Sequence, residues 1–260
     1  MIQNASENQV QYTVRDGIAA VTLNRPPVNA LSLDLIRSVV AALKRAAAGS
    51  EARSVVLSSG VARRFSAGLD IDILLGKSAD EIRPFVQELY VNLFDAQFRL
   101  GKLSIAAVGG AARGGGMTMA VSCDVVVASE AASFGYPEID LGLLPAIHFA
   151  HLPRLAGRHR AFELLFSGRV FGPSEAAELG VVTKIVPEAE LDDAVHRMAA
   201  GFAAKSEKIV RMGRAAFMRQ IDLEYRRSVE YAVEDFCAVA SSDDAQEGLR
   251  AFVEKRKPAW

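Results

Sequence analysis

The first three quarters of the chain alternate short apolar runs with longer amphipathic stretches. Val10, Tyr12 and Val14 alternate with polar residues, and residues 18–23 form a second apolar run after the turn pair Asp16-Gly17. This arrangement is typical of a β-hairpin with a two-residue turn. We therefore expect the fold to begin with two antiparallel strands.

Helices and strands are then predicted in turn. Ser32 is a suitable helix N-cap, because apolar residues with helical spacing follow it. Several later apolar runs are short and lack alternation, which is typical of strands buried on both faces. The predicted helices are residues 33–48, 80–100 and 117–123, the predicted strands are residues 54–58, 105–108, 124–128 and 132–135, and residues 63–70 are predicted as a loop. This order of elements predicts an α/β fold.

Only helices are predicted after residue 192. Their expected ranges are residues 191–205, 207–219, 223–239 and 243–255. We therefore divide the chain into a core, residues 1–192, and a C-terminal helical section, residues 193–260. Apolar helix faces at a chain end pack either on a neighbouring subunit or on their own core, and both alternatives stay open here.

Composition excludes several classes of protein. The 260 residues are 50% hydrophobic and 23% charged, which is typical of a globular protein, and the formal net charge is −1, so no global field attracts nucleic acid or an anionic membrane. Cys123 and Cys237 are too few for a disulfide framework and are expected to be reduced core thiols. The first seventeen residues lack the basic start and apolar block of a signal peptide. We expect a cytoplasmic protein with no nucleic-acid or membrane partner.

One apolar stretch, residues 103–122, approaches the length of a membrane span. It contains Arg113 and five glycines. We interpret it as a strand, a loop and the start of a helix, because a spanning helix needs about 20 predominantly apolar residues without such interruptions.

Two glycine-containing segments are candidate ligand sites. Residues 65–71 (FSAGLDI) follow a predicted strand, and a small loop of this kind exposes backbone N–H groups. Gly114, Gly115 and Gly116 open a predicted helix, whose N-terminal N–H groups attract a negatively charged oxygen. The second segment is not a P-loop, because Gly116 stands where the lysine is required. An ordinary turn and tight helix packing, respectively, are the structural alternatives.

A third segment contains a carboxylate among apolar residues. Glu138 follows the predicted strand at residues 132–135, in the run ASFGYPEI. Burial raises the pKa of a carboxyl group, which suits a group that accepts and returns a proton. Considered alone, Glu138 fits a surface loop equally well.

Together, and in this order, these segments resemble the enoyl-CoA hydratase/isomerase (crotonase) family over nearly the whole chain. The segments that carry the resemblance are residues 21–26, 29–32, 65–71, 110–116 with Cys123-Asp124, 134–144, 175–176, 179–182, 247–248, 251–252 and 254–256.

The resemblance implies a fold, a chemistry and an assembly. The fold would be a spiral of ββα units followed by helices that build a homotrimer or a dimer of trimers. The substrate would be an acyl-CoA thioester whose enolate oxygen is stabilised by the backbone N–H groups of Leu69 and Gly115, with Glu138 as the acid/base. Coenzyme A would be part of the substrate, so no separate cofactor and no metal are expected.

The resemblance also implies residues that contact the substrate. The coenzyme A end needs cations and backbone donors near its phosphates, and the acyl pocket would use residues 73–98. The implied contact residues are Arg25, Val28, Arg64, Ala67, Gly68, Asp70 and Ile71, with Gly114 and Thr118 in the catalytic segment and with Phe252 and Lys255 from the C-terminal helix, across a subunit boundary.

Two departures from the family pattern bear on the reaction. Thr118 stands where typical hydratases of the family have their first glutamate, and a threonine cannot act as an acid or base near pH 7. Residues 146–151 (AIHFAH) replace a glycine-rich loop, and Ala146 stands where aryl-CoA dehalogenases of the family have a nucleophilic aspartate. His148 and His151 either supply a second acid/base group or only pack.

These departures leave several functions open. A single glutamate suffices for β,γ- to α,β-enoyl-CoA isomerisation, while family frequency favours enoyl-CoA hydration. The alternatives are a crotonase-type carbon–carbon lyase or hydrolase and an acyl-CoA-binding protein without catalysis.

Overall fold

The computed structural model describes residues 9–260. Residues 1–8, on which the expectation about a signal peptide partly rests, lie outside the described residues. No helix within residues 9–260 combines the length and the apolar run that a bilayer-spanning segment requires.

The predicted hairpin is confirmed with its two-residue turn. Val10–Arg15 (β1) pairs antiparallel with Ile18–Leu23 (β2), and Arg15 lies opposite Ile18. Asp16 and Gly17 both have positive φ, 52° and 76°, as a turn that matches the twist of the strands requires.

Two sheets form the core. The first has six strands in the order β1-β2-β3-β5-β7-β10 and is parallel apart from the hairpin, while the second has four short strands in the order β4-β6-β8-β9. The strands after the hairpin are β3 (Ser54–Ser59), β4 (Arg64–Ser66), β5 (Leu103–Val108), β6 (Ala111–Arg113), β7 (Val125–Ser129), β8 (Ser133–Gly135), β9 (Val170–Phe171) and β10 (Lys184–Val186).

The chain winds through these sheets as a spiral. Three times in succession it adds one strand to the first sheet, one strand to the second and then a helical segment. This repeat confirms the predicted α/β spiral of ββα units. The helices are α1 (Leu33–Ala48), α2 (Ala79–Val86), α3 (Leu93–Phe98), α4 (Gly115–Ser122), α5 (Ala146–Ala156), α6 (Arg158–Ser167), α7 (Pro173–Glu178), α8 (Leu191–Ala203), α9 (Glu207–Gln220), α10 (Tyr225–Ala240) and α11 (Asp243–Val253).

Helices cover both faces of the inner strands of the six-stranded sheet. On one face, α1 packs its apolar side, including Leu35 and Val39, against the strands. On the other face, α8 buries Leu191 and Val195 against the sheet. The inner strands therefore read as continuous apolar runs, whereas the edge strand β1 alternates and exposes every second residue. Helix α8 continues across residue 192 without a break. The division of the chain into a core and a C-terminal helical section at that residue therefore stays a prediction.

Three predicted segments differ in the structure. The loop at residues 63–70 contains β4, which pairs with β6, and such short strands depend on long-range pairing rather than on apolar alternation. The helix expected at residues 80–100 is interrupted by a π-helical turn, Gln87–Asn92, between α2 and α3. The segment treated as an altered loop, residues 146–151, forms the start of α5.

The expectation of two core thiols is wrong for one of them. Cys123 is buried, whereas Cys237 lies on the exposed side of α10. None of the residues of α10 is buried, although the helix packs against α9 and α11, so much of its apolar side remains exposed.

Candidate active site

The first glycine loop presents a free backbone donor at Leu69. A local parallel pairing joins this loop to Leu31: the Leu31 N–H donates to the Gly68 carbonyl at 2.8 Å, and the Asp70 N–H donates to the Leu31 carbonyl at 3.1 Å. Successive N–H groups of an extended chain point to opposite sides. The Leu69 N–H therefore points away from Leu31, toward the side where a ligand oxygen can accept it.

The start of α4 lies beside this loop. Gly115 is the first residue of α4, so its N–H has no partner within the helix. A Cβ atom on Gly68 would lie 3.6 Å from the Gly115 nitrogen, and a Cβ atom on Gly115 would lie 3.1 Å from a methyl carbon of Leu69. The two predicted oxyanion donors therefore belong to segments in van der Waals contact.

Each glycine of the triplet has a different close neighbour. A Cβ atom on Gly114 would lie 2.6 Å from Glu138 Oε1, one on Gly115 would lie 2.9 Å from Leu31, and one on Gly116 would lie 2.7 Å from the Ser66 carbonyl oxygen. Real Cβ atoms do not approach so closely, so a side chain at any of the three positions would displace its neighbour, which at Gly116 is backbone. The close neighbours confirm the tight-packing interpretation of this segment. The ligand-site interpretation is compatible with this packing and stays a prediction.

Glu138 lies in a short 3-10 helix, Pro137–Leu141, directly after β8. Its residue is 9% exposed, which excludes the alternative of a surface loop residue. Burial raises the pKa of its carboxyl group, an effect that the residue's own backbone N–H partly offsets. Oε2 is buried without a hydrogen-bond partner within residues 9–260. A raised pKa and an unpaired carboxylate oxygen beside Gly114 are properties of a general base that exchanges a proton with a ligand.

Two tyrosines near Glu138 escaped the sequence analysis. Tyr136 is fully buried, and its pKa is raised by burial and by the negative charge of Glu138. Tyr90, from the π-helical turn, has its pKa raised by burial and then by Glu138. The position of Tyr136 two residues before Glu138 was a usable signal, whereas nothing in the sequence spacing connects Tyr90 with residue 138.

Thr118 of α4 and His148 of α5 form a buried pair. Thr118 Oγ1 lies 3.1 Å from His148 Nε2, and each residue is 1% exposed. Burial, and then the neighbouring His151, lower the pKa of His148 to about 3, so its imidazole is neutral. A neutral imidazole of such low basicity does not act as a second general base near pH 7.

His151 faces a different space. It contributes to a cavity of 970 Å³ between α3, α4, α5 and α9, which Phe94 and Phe98 also line. Burial, and then Arg154, lower the pKa of His151. Neither Glu138 nor the two oxyanion donors line this cavity, so it is separate from the catalytic segment.

Some of the residues predicted to hold coenzyme A are hydrogen-bonded to one another within the fold, and the others are exposed. Arg25 donates to Asp70 at 2.7 Å and to the Ala30 carbonyl at 2.8 Å, and the Val28 carbonyl accepts the Ala67 N–H. These bonds join the predicted nucleotide-binding turn to the first oxyanion loop.

The remaining predicted contacts are exposed. Arg64 and Ile71 reach the surface beside the loop. Phe252 and Lys255 lie at the end of α11, which packs on α9 and α10, and the Phe252 ring is among the most exposed apolar side chains of the described chain. Their predicted role across a subunit boundary stays a prediction. Within residues 9–260, no three His, Cys, Asp or Glu side chains converge on a point that suits a metal ion.

Comparison with known proteins identifies the family of the chain. A family model described as enoyl-CoA hydratase/isomerase matches residues 13–260. A Bacillus subtilis protein named "Probable enoyl-CoA hydratase" is 33% identical over 97% of this chain and 98% of its own length. The rat "Enoyl-CoA hydratase domain-containing protein 3, mitochondrial" is 30% identical over 95% of this chain and 82% of its own length. The crystal structure of an enoyl-CoA hydratase from Mycobacterium smegmatis superposes with a TM-score of 0.91 at 30% identity, covering 97% of this chain and 98% of the other. The chain therefore belongs to the enoyl-CoA hydratase/isomerase family.

Proposed function

We propose that this protein isomerises β,γ-enoyl-CoA thioesters to α,β-enoyl-CoA thioesters, with Glu138 as its single acid/base. The observation that carries the proposal is the environment of residue 118. Within residues 9–260, the Thr118 hydroxyl pairs with the neutral imidazole of His148, 3.1 Å away, and neither group is a carboxylate. Isomerisation needs one base, whereas hydration must also activate a water molecule.

The chemistry follows from the arrangement of donors and base. The Glu138 carboxylate removes a proton from the carbon next to the thioester carbonyl, and the electron pair moves onto the thioester oxygen. The N–H groups of Leu69 and Gly115 stabilise this enolate oxygen, and one such donor contributes roughly 2.7–4 kcal/mol in enzymes where it has been removed. The protonated Glu138 then returns the proton to the γ-carbon, and the double bond moves into conjugation. Atoms and charge balance without an added cofactor.

Hydration is the second candidate. It is favoured by the names of the relatives, which describe enoyl-CoA hydratases. In that reaction Thr118 would hold the water that adds to the β-carbon, and Glu138 would have to serve both as base for the water and as donor to the α-carbon.

Product analysis separates the two candidates. The protein is incubated with 3-enoyl-CoA and 2-enoyl-CoA thioesters of several chain lengths, and the products are identified by NMR, with Glu138→Gln as the control for enzyme-dependent turnover. Conversion of 3-enoyl-CoA to 2-enoyl-CoA without a 3-hydroxyacyl product supports isomerisation. A 3-hydroxyacyl product from 2-enoyl-CoA, with no isomerisation, supports hydration instead. Thermal stabilisation by coenzyme A with no turnover of any thioester contradicts both and supports a binding protein.

Coenzyme A itself should bind at the surface around the ion pair of Arg25 and Asp70, here called the Arg25–Asp70 cluster. Arg64 is the exposed cation next to this cluster, and Phe252 and Lys255 of another subunit would add contacts. Calorimetry should show weaker binding of coenzyme A to Arg64→Ala, whereas Arg15→Ala, which removes an arginine from the hairpin, should bind as the wild type does. Equal affinity of both variants and wild type would remove Arg64 from the site.

The assembly should be a trimer or a dimer of trimers. Phe217 on α9 and Phe236 on α10 are exposed in the single chain, and a lone subunit would present this apolar surface to water. Light scattering should therefore give at least three times the 27.9 kDa of one chain. A mass of one chain at micromolar concentration would contradict the assembly. The expected cytoplasmic location stays a prediction.

A further inference from the structure

The Thr118–His148 pair is too specific a contact to be explained by packing alone. The two polar side chains come from helices 30 residues apart, α4 and α5, and both are nearly inaccessible to water. A buried polar group is costly unless it has a partner, and two leucines could fill the same space. The contact therefore indicates that His148 affects how the Thr118 hydroxyl forms hydrogen bonds.

The imidazole is neutral, so only one of its nitrogens carries a proton. His148 Nδ1 is buried without a partner within residues 9–260, whereas Nε2 faces Thr118 Oγ1. The ring also lies near the backbone of Gly114, which raises the pKa of His148. A carbonyl that accepts a ring N–H has this effect. A buried N–H without an acceptor is costlier than a buried ring nitrogen that only lacks a donor, so we assign the proton to Nε2.

This tautomer determines the direction of the Thr118 hydroxyl. When Nε2–H donates to Oγ1, the hydroxyl keeps its own proton and must donate it elsewhere. The Thr118 N–H already donates to the Gly114 carbonyl at 3.1 Å, which anchors the residue one helical turn from the glycine that touches Glu138. With this tautomer the hydroxyl proton is not taken up by His148 and is available to another acceptor.

We propose that His148 is a positioning residue that orients the Thr118 hydroxyl as an uncharged hydrogen-bond donor, one helical turn from the glycine that touches Glu138. The proposal rests on the proposed function, in which Glu138 is the only acid/base. A fixed neutral donor at position 118 supplies polarity where the two-glutamate members of the family have a second carboxylate, and it adds no second titrating group. Within residues 9–260 Thr118 makes no side-chain hydrogen bond to Glu138, so its acceptor is an oxygen of the substrate or a water molecule.

The surroundings of His148 explain why its imidazole stays uncharged. Tyr136 packs against it with ring centroids 4.5 Å apart, and His151 lies one helical turn away with centroids at 6.3 Å. Neither neighbour is an anion near neutral pH, and burial of Tyr136 raises its pKa. With no anion in contact with the ring, its charged form is not stabilised.

A double-mutant cycle on kcat tests the proposal. Thr118→Val, His148→Leu and the double variant are compared with wild type on the best thioester substrate. Each single variant should lose about tenfold in kcat, the scale of one hydrogen bond. The double variant should lose no more than Thr118→Val alone, because His148 acts only through Thr118. Losses that multiply in the double variant would show that His148 acts independently, and would overturn the proposal.

Two variants separate positioning from mere support of the fold. His148→Gln places an amide N–H near the position of Nε2 and should recover most of the kcat lost in His148→Leu. His151→Gln alters the next buried imidazole of α5, which lines the separate cavity, and should keep the wild-type kcat. A kcat in His148→Gln as low as in His148→Leu, with both variants folded, would contradict the proposal.

A measurement that needs no turnover completes the test. The chain has four histidines, and nitrogen-15 NMR of histidine-labelled protein, with His148→Gln for assignment, distinguishes the two neutral tautomers and the charged form. His148 should remain neutral with a protonated Nε2 from pH 5 to pH 8, and Thr118→Val should shift its Nε2 resonance. A protonated Nδ1, or titration in this range, would overturn the inference even if no substrate is found.

The kinetic variants distinguish failure of this inference from failure of the proposed function. Loss of turnover in Glu138→Gln without any effect of His148→Leu would overturn the inference while leaving the proposed function intact.

Discussion

Gly114 lies against the carboxylate of Glu138, so that a Cβ atom on residue 114 would lie 2.6 Å from Oε1. Gly114 also has φ of 46° and ψ of −114°, a conformation that residues with a Cβ atom rarely adopt. The next residue, Gly115, provides one of the two predicted oxyanion donors. Gly114 therefore lies between the Glu138 carboxylate and the Gly115 N–H. A larger residue at position 114 would displace one of these two groups.

Gly114→Ala should abolish most activity and destabilise the fold. The added methyl group displaces the Glu138 carboxylate, and the backbone strain costs about 1–3 kcal/mol. We expect kcat to fall by at least about 10²-fold, as when a positioned base is lost. Gly180→Ala is the matched control, because Gly180 also has positive φ, 77°, but no atom within 4 Å of a built Cβ. It should lose stability to a similar backbone strain while kcat is unchanged. Equal kcat in the two variants would contradict this account of Gly114.

Glu138→Gln should lose at least about 10²-fold in kcat, with little change in KM, because the isosteric amide keeps the shape but does not accept a proton. In the wild type, kcat/KM should fall as the pH drops through the raised pKa of Glu138, so the acid limb should lie above the usual carboxyl value of 4.5. Stopped assays across the pH range measure both effects. Near wild-type turnover of Glu138→Gln would refute the assignment of the base.

The backbone elements that depend on local sequence were predictable. Helix α1 begins and ends as expected, because Ser32 Oγ accepts the Leu35 N–H at 3.1 Å and the apolar residues repeat with helical spacing. The four C-terminal helices also lie within a few residues of their predicted bounds. Strand β4 was missed, since it exists only by pairing with β6, more than 40 residues away.

The site was predictable only in part. The glycine segments and Glu138 could be found, because their residue types and order are those of a known family and the family is confirmed. The contact of Thr118 with His148 was not predictable, since spacing along the chain does not encode which turns of two helices meet. Tyr90 reaches the surroundings of Glu138 through a π-helical turn that an ordinary helical periodicity does not reveal.

The pH dependence of stability should reveal the buried His148. Its pKa is lowered to about 3 in the folded protein, against 6.5 for the free side chain, so the unfolded chain binds more protons between these values. The stability of the wild type is therefore complete above about pH 6.5 and is lost as the pH falls toward 3. At pH 5 this single group should cost on the order of 2 kcal/mol.

His148→Gln should reduce that acid sensitivity. The difference in Tm between pH 7.5 and pH 5 should be smaller in this variant than in wild type, although part of the difference remains because burial also lowers the pKa of His151. His196→Gln, at an exposed position of α8, controls for the removal of an imidazole. An unchanged difference in His148→Gln would show that His148 is charged or accessible in solution.

A buried ion pair should determine how firmly the C-terminal helices are attached to the core. Arg214 of α9 donates from two nitrogens to Asp124, and their side chains are only 4% and 14% exposed. Asp124 also accepts the Ser104 N–H at 2.9 Å, and Arg214 donates to the Phe98 carbonyl at 2.9 Å. One contact therefore joins α9 to β5, to the start of β7 and to the end of α3.

Arg214→Leu should destabilise the protein by about 3–5 kcal/mol, because it leaves the Asp124 charge buried without a partner. Adding Asp124→Asn should recover much of this loss, since the amide oxygen still accepts the Ser104 N–H and no charge remains. Arg219→Leu is the matched control on the same helix: its pair with Asp235 is 2.6 Å long but half exposed, so it should cost less than about 1 kcal/mol. Urea unfolding at one fixed protein concentration measures all three, because assembly would otherwise shift the apparent stability. If Arg214→Leu and Arg219→Leu cost the same, the buried pair contributes no more than a surface one, and the C-terminal helices must be held by their apolar contacts instead.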